Sequence, residues 1–246
     1  MIEAIAWSAL ATATLLVGMG LAYGDVISLR GTGLIMAFGA GAIISAVSYQ
    51  LVLPAAIATA VDPLPLAVAM AAGALTFYVA DRWVDGLGGE DRLDFEGAQA
   101  GGSGMGILLG SLLDGVPESL VLGLSFAHAS SVSFAFVFAV AISNIPQGLG
   151  GTAGMLAAGW PRPRITGLWI AVCVLSVAAA IGGFALGTLV PGANGTQLDS
   201  FAAGALLVML ADSMIPEAFQ HGGRETGLAL VLGFGTAVVV GLLELA

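Results

Sequence analysis

The stretch LLDGVPESLVLG, residues 112–123, decides how this chain is read. Asp114 and Glu118 stand four residues apart with Pro117 between them, inside a run that is otherwise apolar. Outward from there, apolar runs of about 20 residues recur along the whole length, each able to cross a hydrocarbon core of ~30 Å. The 246 residues are 58% hydrophobic and 9% charged, against roughly 25% charged in soluble domains. Mean hydropathy is +1.01. The runs are continuous rather than alternating, which argues against a transmembrane barrel. The fold class expected is an all-α, polytopic membrane protein forming one domain over 1–246, with no room for a soluble domain beside it.

Glycine, proline and charge divide the chain into eight spans, near 3–23, 32–53, 64–82, 101–126, 132–158, 164–190, 198–219 and 225–245. The start, MIEAIAWSAL, has no basic region and reads as the first span rather than a cleavable signal. There is no lysine, and the six arginines (30, 82, 92, 162, 164 and 224) all fall on one side of this arrangement. The positive-inside rule makes that side cytoplasmic and puts both termini outside, with a cytoplasmic loop at about 83–100. An inner, plasma-membrane location is expected. The net charge of -10 argues against nucleic acid. A single cysteine, Cys173, excludes an internal disulfide or a cysteine metal cluster. The 37 glycines read chiefly as sites of close helix packing in lipid.

A charge at bilayer depth costs at least ~2.5–3.5 kcal/mol, so it needs a partner or a purpose. Residues four apart share a helix face, so Asp114 and Glu118 point the same way and repel. No arginine falls within a span to neutralise them. Pro117 lacks an N–H and leaves the carbonyl of Leu113 without its usual helical partner. Two carboxylates and a loose backbone oxygen on one turn suit a divalent cation.

The following span repeats the design. AISNIPQGLGG (141–151) lies over LLDGVPESLVL at an offset of 29, matching Gly115-Val-Pro-Glu118 with Asn144-Ile-Pro-Gln147. Pro146 frees the carbonyl of Ile142, and Ser143, Asn144 and Gln147 supply neutral oxygens. Consecutive spans run in opposite directions, so matched motifs imply an inverted pseudo-twofold repeat, a transporter signature. A second echo joins FGAGAIISAVSYQLVLPAA (38–56) to FAAGALLVMLADSMIPEAF (201–219), with one residue's difference in length. Aligned from the prolines, Gln50 and Asp212 each stand four residues before Pro54 and Pro216. Spans two and seven are therefore expected to flank the central pair.

On these residues the chain resembles the ZIP (Zrt/Irt-like) family of divalent metal transporters, over essentially its whole length. That family carries H-N-x-P-E-G on its fourth span and H/Q-[DEN]-x-P-[EH]-[EG] on its fifth. Here the motifs read Asp114-Gly115-Val116-Pro117-Glu118-Ser119 and Ser143-Asn144-Ile145-Pro146-Gln147-Gly148. The family's first histidine is Asp114, its asparagine is Gly115, and on span five Ser143 and Gln147 replace the His or Gln and the acidic or His positions. The resemblance implies one metal centre formed by Asp114, Glu118, Asn144 and Gln147 with Ser143, and the second echo adds Asp212 and Gln50 on the flanking spans. Gly115 offers no donor for a second, bridged centre. The implied function is uptake of a divalent cation, with zinc or iron favoured by the family, manganese by the oxygen-rich donors, and zinc kept as the first expectation. The metal is cargo, and no cofactor is expected. The resemblance also allows a homodimer.

In this reading a hydrated cation enters from outside, sheds water onto the carboxylates, and leaves when one bundle of helices moves against another. Protons compete for Asp114 and Glu118, so acid slows uptake. The segment DGLGGEDRLDFEGAQAGG (85–102) reads as a solvated linker, and Glu217 with His221 as an exposed pair or an exit way-station. His128 falls in an outer loop. Trp83 and Trp160 fall near span ends as interface anchors. Two rival readings stay open: a ZIP-like protein whose drifted site moves another cation or none, and an intramembrane aspartyl dyad of Asp114 and Asp212. The dyad lacks the Tyr-Asp or Gly-x-Gly-Asp setting and leaves the paired proline motifs unexplained, so no enzyme activity is expected.

Overall fold

The computed structural model describes residues 2–58, 63–87, 104–128, 133–190 and 193–244. Among these the chain is helical, with no strand. The elements are α1 (Ile2–Tyr23), α2 (Leu29–Ala46), a π-helical turn (Val47–Val52) and α3 (Leu53–Ala58), then α4 (Leu64–Asp85), α5 (Gly104–His128), α6 (Phe134–Ala157) and α7 (Arg162–Leu189). The last part comprises α8 (Ala193–Met209), a second π-helical turn (Leu210–Met214), α9 (Ile215–Gly222), a short 3₁₀ turn (Gly223–Glu225) and α10 (Thr226–Leu243). Pro117 and Pro146 lie inside continuous helices rather than breaking them. Most of the acidic 85–102 segment lies outside the described residues.

Seven stretches are long and apolar enough to cross a membrane, the last of them Gly195–Leu243 with 49 residues. At 1.5 Å per residue that stretch would be ~70 Å long, over twice the hydrocarbon thickness. The chain turns back inside it. Gly223 takes φ +71°, and the Thr226 hydroxyl donates to the carbonyls of Gly223 (2.8 Å) and Ala218 (3.3 Å) across the turn. Gly222 presses on Gly33 at the start of α2, while Leu230 and Gly233 of α10 pack further along it on Gly41 and Phe38. Thus α10 runs alongside α2 in the same direction, and α9 runs against both.

Four helix pairs are locked by one repeated device. In each pair a glycine sits against the partner's backbone carbonyl three residues before the partner's own glycine, and the contact is returned. The pairs are Gly18 with Gly148 (α1 and α6), Gly41 with Gly233 (α2 and α10), Gly73 with Gly204 (α4 and α8), and Gly123 with Gly183 (α5 and α7). At all eight positions an added Cβ would overlap a carbonyl oxygen of the facing helix. Such approach allows Cα–H···O contacts and tight van der Waals packing, which drive helix association where lipid cancels the hydrophobic effect.

Helix α1 also packs on α7, joining α1, α5, α6 and α7 into one group, and α8 packs on the π turn of α2, joining the rest into another. The closest seam between the groups is α2 against α6, where Gly39 leaves no room beside the backbone of Ser143. The buried apolar core lies along this seam, around Met36, Ile43, Phe136, Leu206 and Met209.

The echo between spans two and seven has a structural counterpart, with a correction to its register. Buried residues coincide at a constant offset of 163: Ala40 with Ala203, Ile43 with Leu206, Ala46 with Met209, Val47 with Leu210, Leu51 with Met214, and Ala55 with Ala218. The π turns begin at equivalent positions, Val47 and Leu210. The glycine contacts also match: Phe38 and Gly41 hold Gly233 and Leu230, as Phe201 and Gly204 hold Gly73 and Met70. The register therefore follows the packing face set by the glycines, and the two prolines are displaced by one residue. Gln50 is equivalent to Ser213, and Asp212 to Tyr49.

The described arginines all sit at helix ends or in the 3₁₀ turn. Arg30 pairs with Glu225 at 2.7 Å, joining the start of α2 to the α9–α10 turn. Arg162 donates to the carbonyl of Tyr23 (3.3 Å) and stacks on its ring at 4.9 Å. Trp160 lies under the Arg164 guanidinium at 4.0 Å and Trp83 is exposed near the end of α4.

Candidate cation site

The carboxylates of Asp114 and Glu118 are both 1% exposed, on the face of α5 turned into the bundle. Pro117 sits between them without an N–H, so this turn of α5 carries one backbone hydrogen bond fewer than a regular helix. Opposite, α6 presents Ser143, Asn144 and Gln147, all buried and bracketing Pro146. The Ser143 hydroxyl lies 3.2 and 3.3 Å from the two Glu118 carboxylate oxygens and 2.9 Å from the Val140 carbonyl. Ser143 thus ties α6 to α5 at the carboxylate pair.

Asn144 donates through Nδ2 to the Ala11 carbonyl of α1 at 3.1 Å, and its Oδ1 remains an acceptor. Gln147 directs Nε2 at Met214 Sδ (3.8 Å), which likewise leaves Oε1 as an acceptor. The second π turn supplies the remaining wall. The Ser213 hydroxyl lies 3.3 Å from Asp114 Oδ1 and 2.7 Å from the Met209 carbonyl. Sequence reasoning missed Ser213 and Met214, because anchoring the echo at the prolines drew attention to Asp212. Anchoring it at F-x-A-G would have paired Gln50 with Ser213.

The structure does not bring all the expected residues together. Asp114, Glu118, Ser143, Asn144 and Gln147 converge. Asp212 is exposed on the outer face of the bundle, beside Ala67, Ala71 and Ala74 of α4. Ser213 and Met214 continue the buried face of Leu206, Met209 and Leu210 and meet the site, and Asp212 does not. A dyad between Asp212 and Asp114 therefore has no geometric basis here. Gln50 is half-buried in the first π turn. Glu217 and His221 meet at 2.9 Å with side chains 17% and 7% exposed, so this is a mostly buried pair rather than an exposed one. The side chain of His128 lies outside the described residues.

Gly115 has a physical reason to be glycine. The Ser176 hydroxyl of α7 comes within 3.1 Å of where its Cβ would stand, so a side chain at 115 would require Ser176 to give by a few tenths of an ångström. Among the described residues no group of three or more His, Cys, Asp or Glu side chains converges. The arrangement is two carboxylates ringed by hydroxyl and amide oxygens and one thioether. It can neutralise one doubly charged ion while neutral donors complete its shell.

Comparison with known proteins gives no match to a family model and no match among curated proteins.

Proposed function

We propose that this chain carries a divalent metal cation across a membrane through the site between α5 and α6, in the manner of the ZIP transporters it resembles. The observation that carries the reading is the convergence of two buried carboxylates with Ser143, Asn144, Gln147, Ser213 and Met214. Two like charges in a low-dielectric interior are costly to a protein that never binds a counter-ion there.

The fold-back at Gly222–Thr226 supports eight spans, dividing the 49-residue apolar stretch into two. The inverted repeat is supported by the constant offset between α2 and α8–α9 and by the glycine pairs. Exchanging α1 for α7, α2 for α8–α9, α4 for α10 and α5 for α6 converts the α1–α6 pair into α7–α5, and α2–α10 into α8–α4. Eight helices obeying one exchange rule are what a pseudo-twofold axis in the membrane plane requires. The arginines then mark the cytoplasmic side of an inner membrane, with both termini outside.

Ligand chemistry and the family resemblance both bear on the cargo. Oxygen donors alone suit manganese, magnesium or calcium, but Met214 adds a soft, polarisable sulfur at the wall. Zinc is the named cargo, with iron and manganese as the alternatives. The site's residues lie on both helix groups, Asp114 through Gln147 on one and Ser213 with Met214 on the other. Moving the groups apart opens the cage and releases the ion. The test is radiolabelled zinc, iron and manganese uptake into proteoliposomes by the wild type, Asp114→Ala and Glu118→Ala. Uptake of one cation by the wild type alone is the expected result. Absence of any cation flux in the wild type would instead favour a drifted, non-transporting site.

A further inference from the structure

Under the proposed exchange of α2 for α8 and α6 for α5, the seam between α2 and α6 has a twin between α8 and α5. The two seams are not alike. At the first, Gly39 presses on Ser143 with no space between the backbones. At the second lies a groove of about 270 Å³, between α4, α5 and α8 with Leu186 of α7 at one edge. Pro117, Leu113, Val116 and Leu120 form its α5 wall, with Phe201 and Ala202 opposite, and no polar atom faces it. Leu186 and Thr76 at its rim are exposed. Leu113 and Pro117 belong to the same turns of α5 that carry Asp114 and Glu118 on the other face.

We infer that this groove binds a single hydrocarbon chain, the acyl tail of a membrane lipid, and that its occupant wedges the α5–α8 seam open. Three features on the molecule select that ligand. Pro117 lies near the middle of α5, at a depth where the surrounding solvent is hydrocarbon. The wall is wholly apolar, so a hydrated or polar guest would lose its hydrogen bonds on entering. The volume lies just below the small-molecule range, enough for a segment of chain but not for a headgroup. Narrowing the seam toward its twin's spacing, as far as the Ala202 methyl allows where the twin has Gly39, would expel the chain. The groove therefore exists in one state of the exchange and is lost in the other, and a chain held there favours the state seen here.

The wedging half of this inference rests on the proposed transport cycle, whereas the binding half does not. For binding, the wild type in detergent micelles is titrated with a phosphatidylcholine bearing a diazirine at mid-chain, and adducts are mapped after illumination. Saturable labelling centred on Leu113, Val116, Leu120 and Phe201 is expected, strongly reduced in Ala202→Trp, whose side chain fills the groove. Labelling that grows linearly with lipid and spreads equally to outward residues such as Val174, Val231 and Leu232 overturns it. For wedging, Ala202→Trp should retain the cation-induced thermal shift of the wild type and lose most uptake. Uptake at the wild-type rate overturns the wedge. A wild type that neither binds nor moves a cation removes the transport reading and the wedge with it, but leaves the labelling result standing.

Discussion

Replacing Asp114 by asparagine should make the metal-free protein more stable while destroying its response to metal. Asp114 and Glu118 are two carboxyl groups on one face of α5, each 1% exposed. A charge at bilayer depth costs ~2.5–3.5 kcal/mol on insertion scales, and removing one of two also removes their repulsion. The amide introduced by Asp114→Asn keeps an oxygen for the Ser213 hydroxyl, now 3.3 Å from Asp114 Oδ1, so no polar partner is orphaned. Part of the gain is lost because a charge-assisted bond becomes a neutral one, leaving a net stabilisation of about 1–3 kcal/mol in chelator. Metal reverses the order. At a free cation concentration of 100 times Kd the wild type gains ~2.7 kcal/mol by linkage, and a site with one carboxylate gains little. Thermal unfolding in detergent, with chelator and then with zinc or manganese, reads both arms. An asparagine variant that unfolds earlier in chelator, and shifts with metal as the wild type does, would refute the assignment of these carboxylates to a cation.

Adjacent glycines give a sharper packing test. Gly182 has open space around its Cα and Gly183 abuts the Leu120 carbonyl, so Gly182→Ala should be neutral or gain up to ~1 kcal/mol, and Gly183→Ala should lose about 1–3 kcal/mol; thermal unfolding of the two variants side by side decides it. Asp212→Asn should leave cation affinity unchanged, because Asp212 faces outward, whereas Ser213→Ala should weaken it several-fold; equilibrium metal binding measures both. Uptake should fall as pH falls, through proton competition at Asp114 and Glu118. The exposed Glu225 carboxyl is held below its ordinary range by its own backbone N–H and by Arg30, so its stabilising effect is full above that range and fades only at lower pH. Glu225→Gln should accordingly leave the pH profile of uptake unmoved.

The elements with long apolar runs were legible in the sequence because lipid allows little else: a spanning segment must satisfy its own backbone, and that means helix. The five residues of α5 and α6 were legible for a related reason, since carboxylates and amides have no ordinary place at that depth. The π turns were not. Val47–Val52 and Leu210–Met214 each add part of a turn that no propensity marks, and a single extra residue rotates everything after it about the helix axis. The one-residue displacement of Pro54 against Pro216 hid that Ser213 lies in the site and Asp212 on the outside. The glycine contacts were hidden in plain view: 37 glycines are easily read as generic packing. Only the facing carbonyls separate Gly183, which has no room, from Gly182, which has plenty.

If the proposed repeat and transport reading hold, the two halves preserve packing far better than chemistry, and the difference bears on the route a cation would take. Leu51 and Met214 are equivalent buried positions, and Met214 offers a sulfur acceptor to Gln147 of the central helices where Leu51 has none to offer. Gln50 and Ser213 are equivalent too, and only Ser213 reaches a carboxylate. The cage is consequently closed from the α8–α9 side and left to backbone packing on the α2 side, where Gly39 meets Ser143. On the proposed transport reading, a cation leaving past the π turn of α8–α9 would part from Ser213 and Met214, whereas the other route would require α2 to separate from α6 along the tightest seam between the two helix groups. Two routes that an exact twofold would make equal thus become unequal, and the side chains that make them so are the ones in which the halves have diverged.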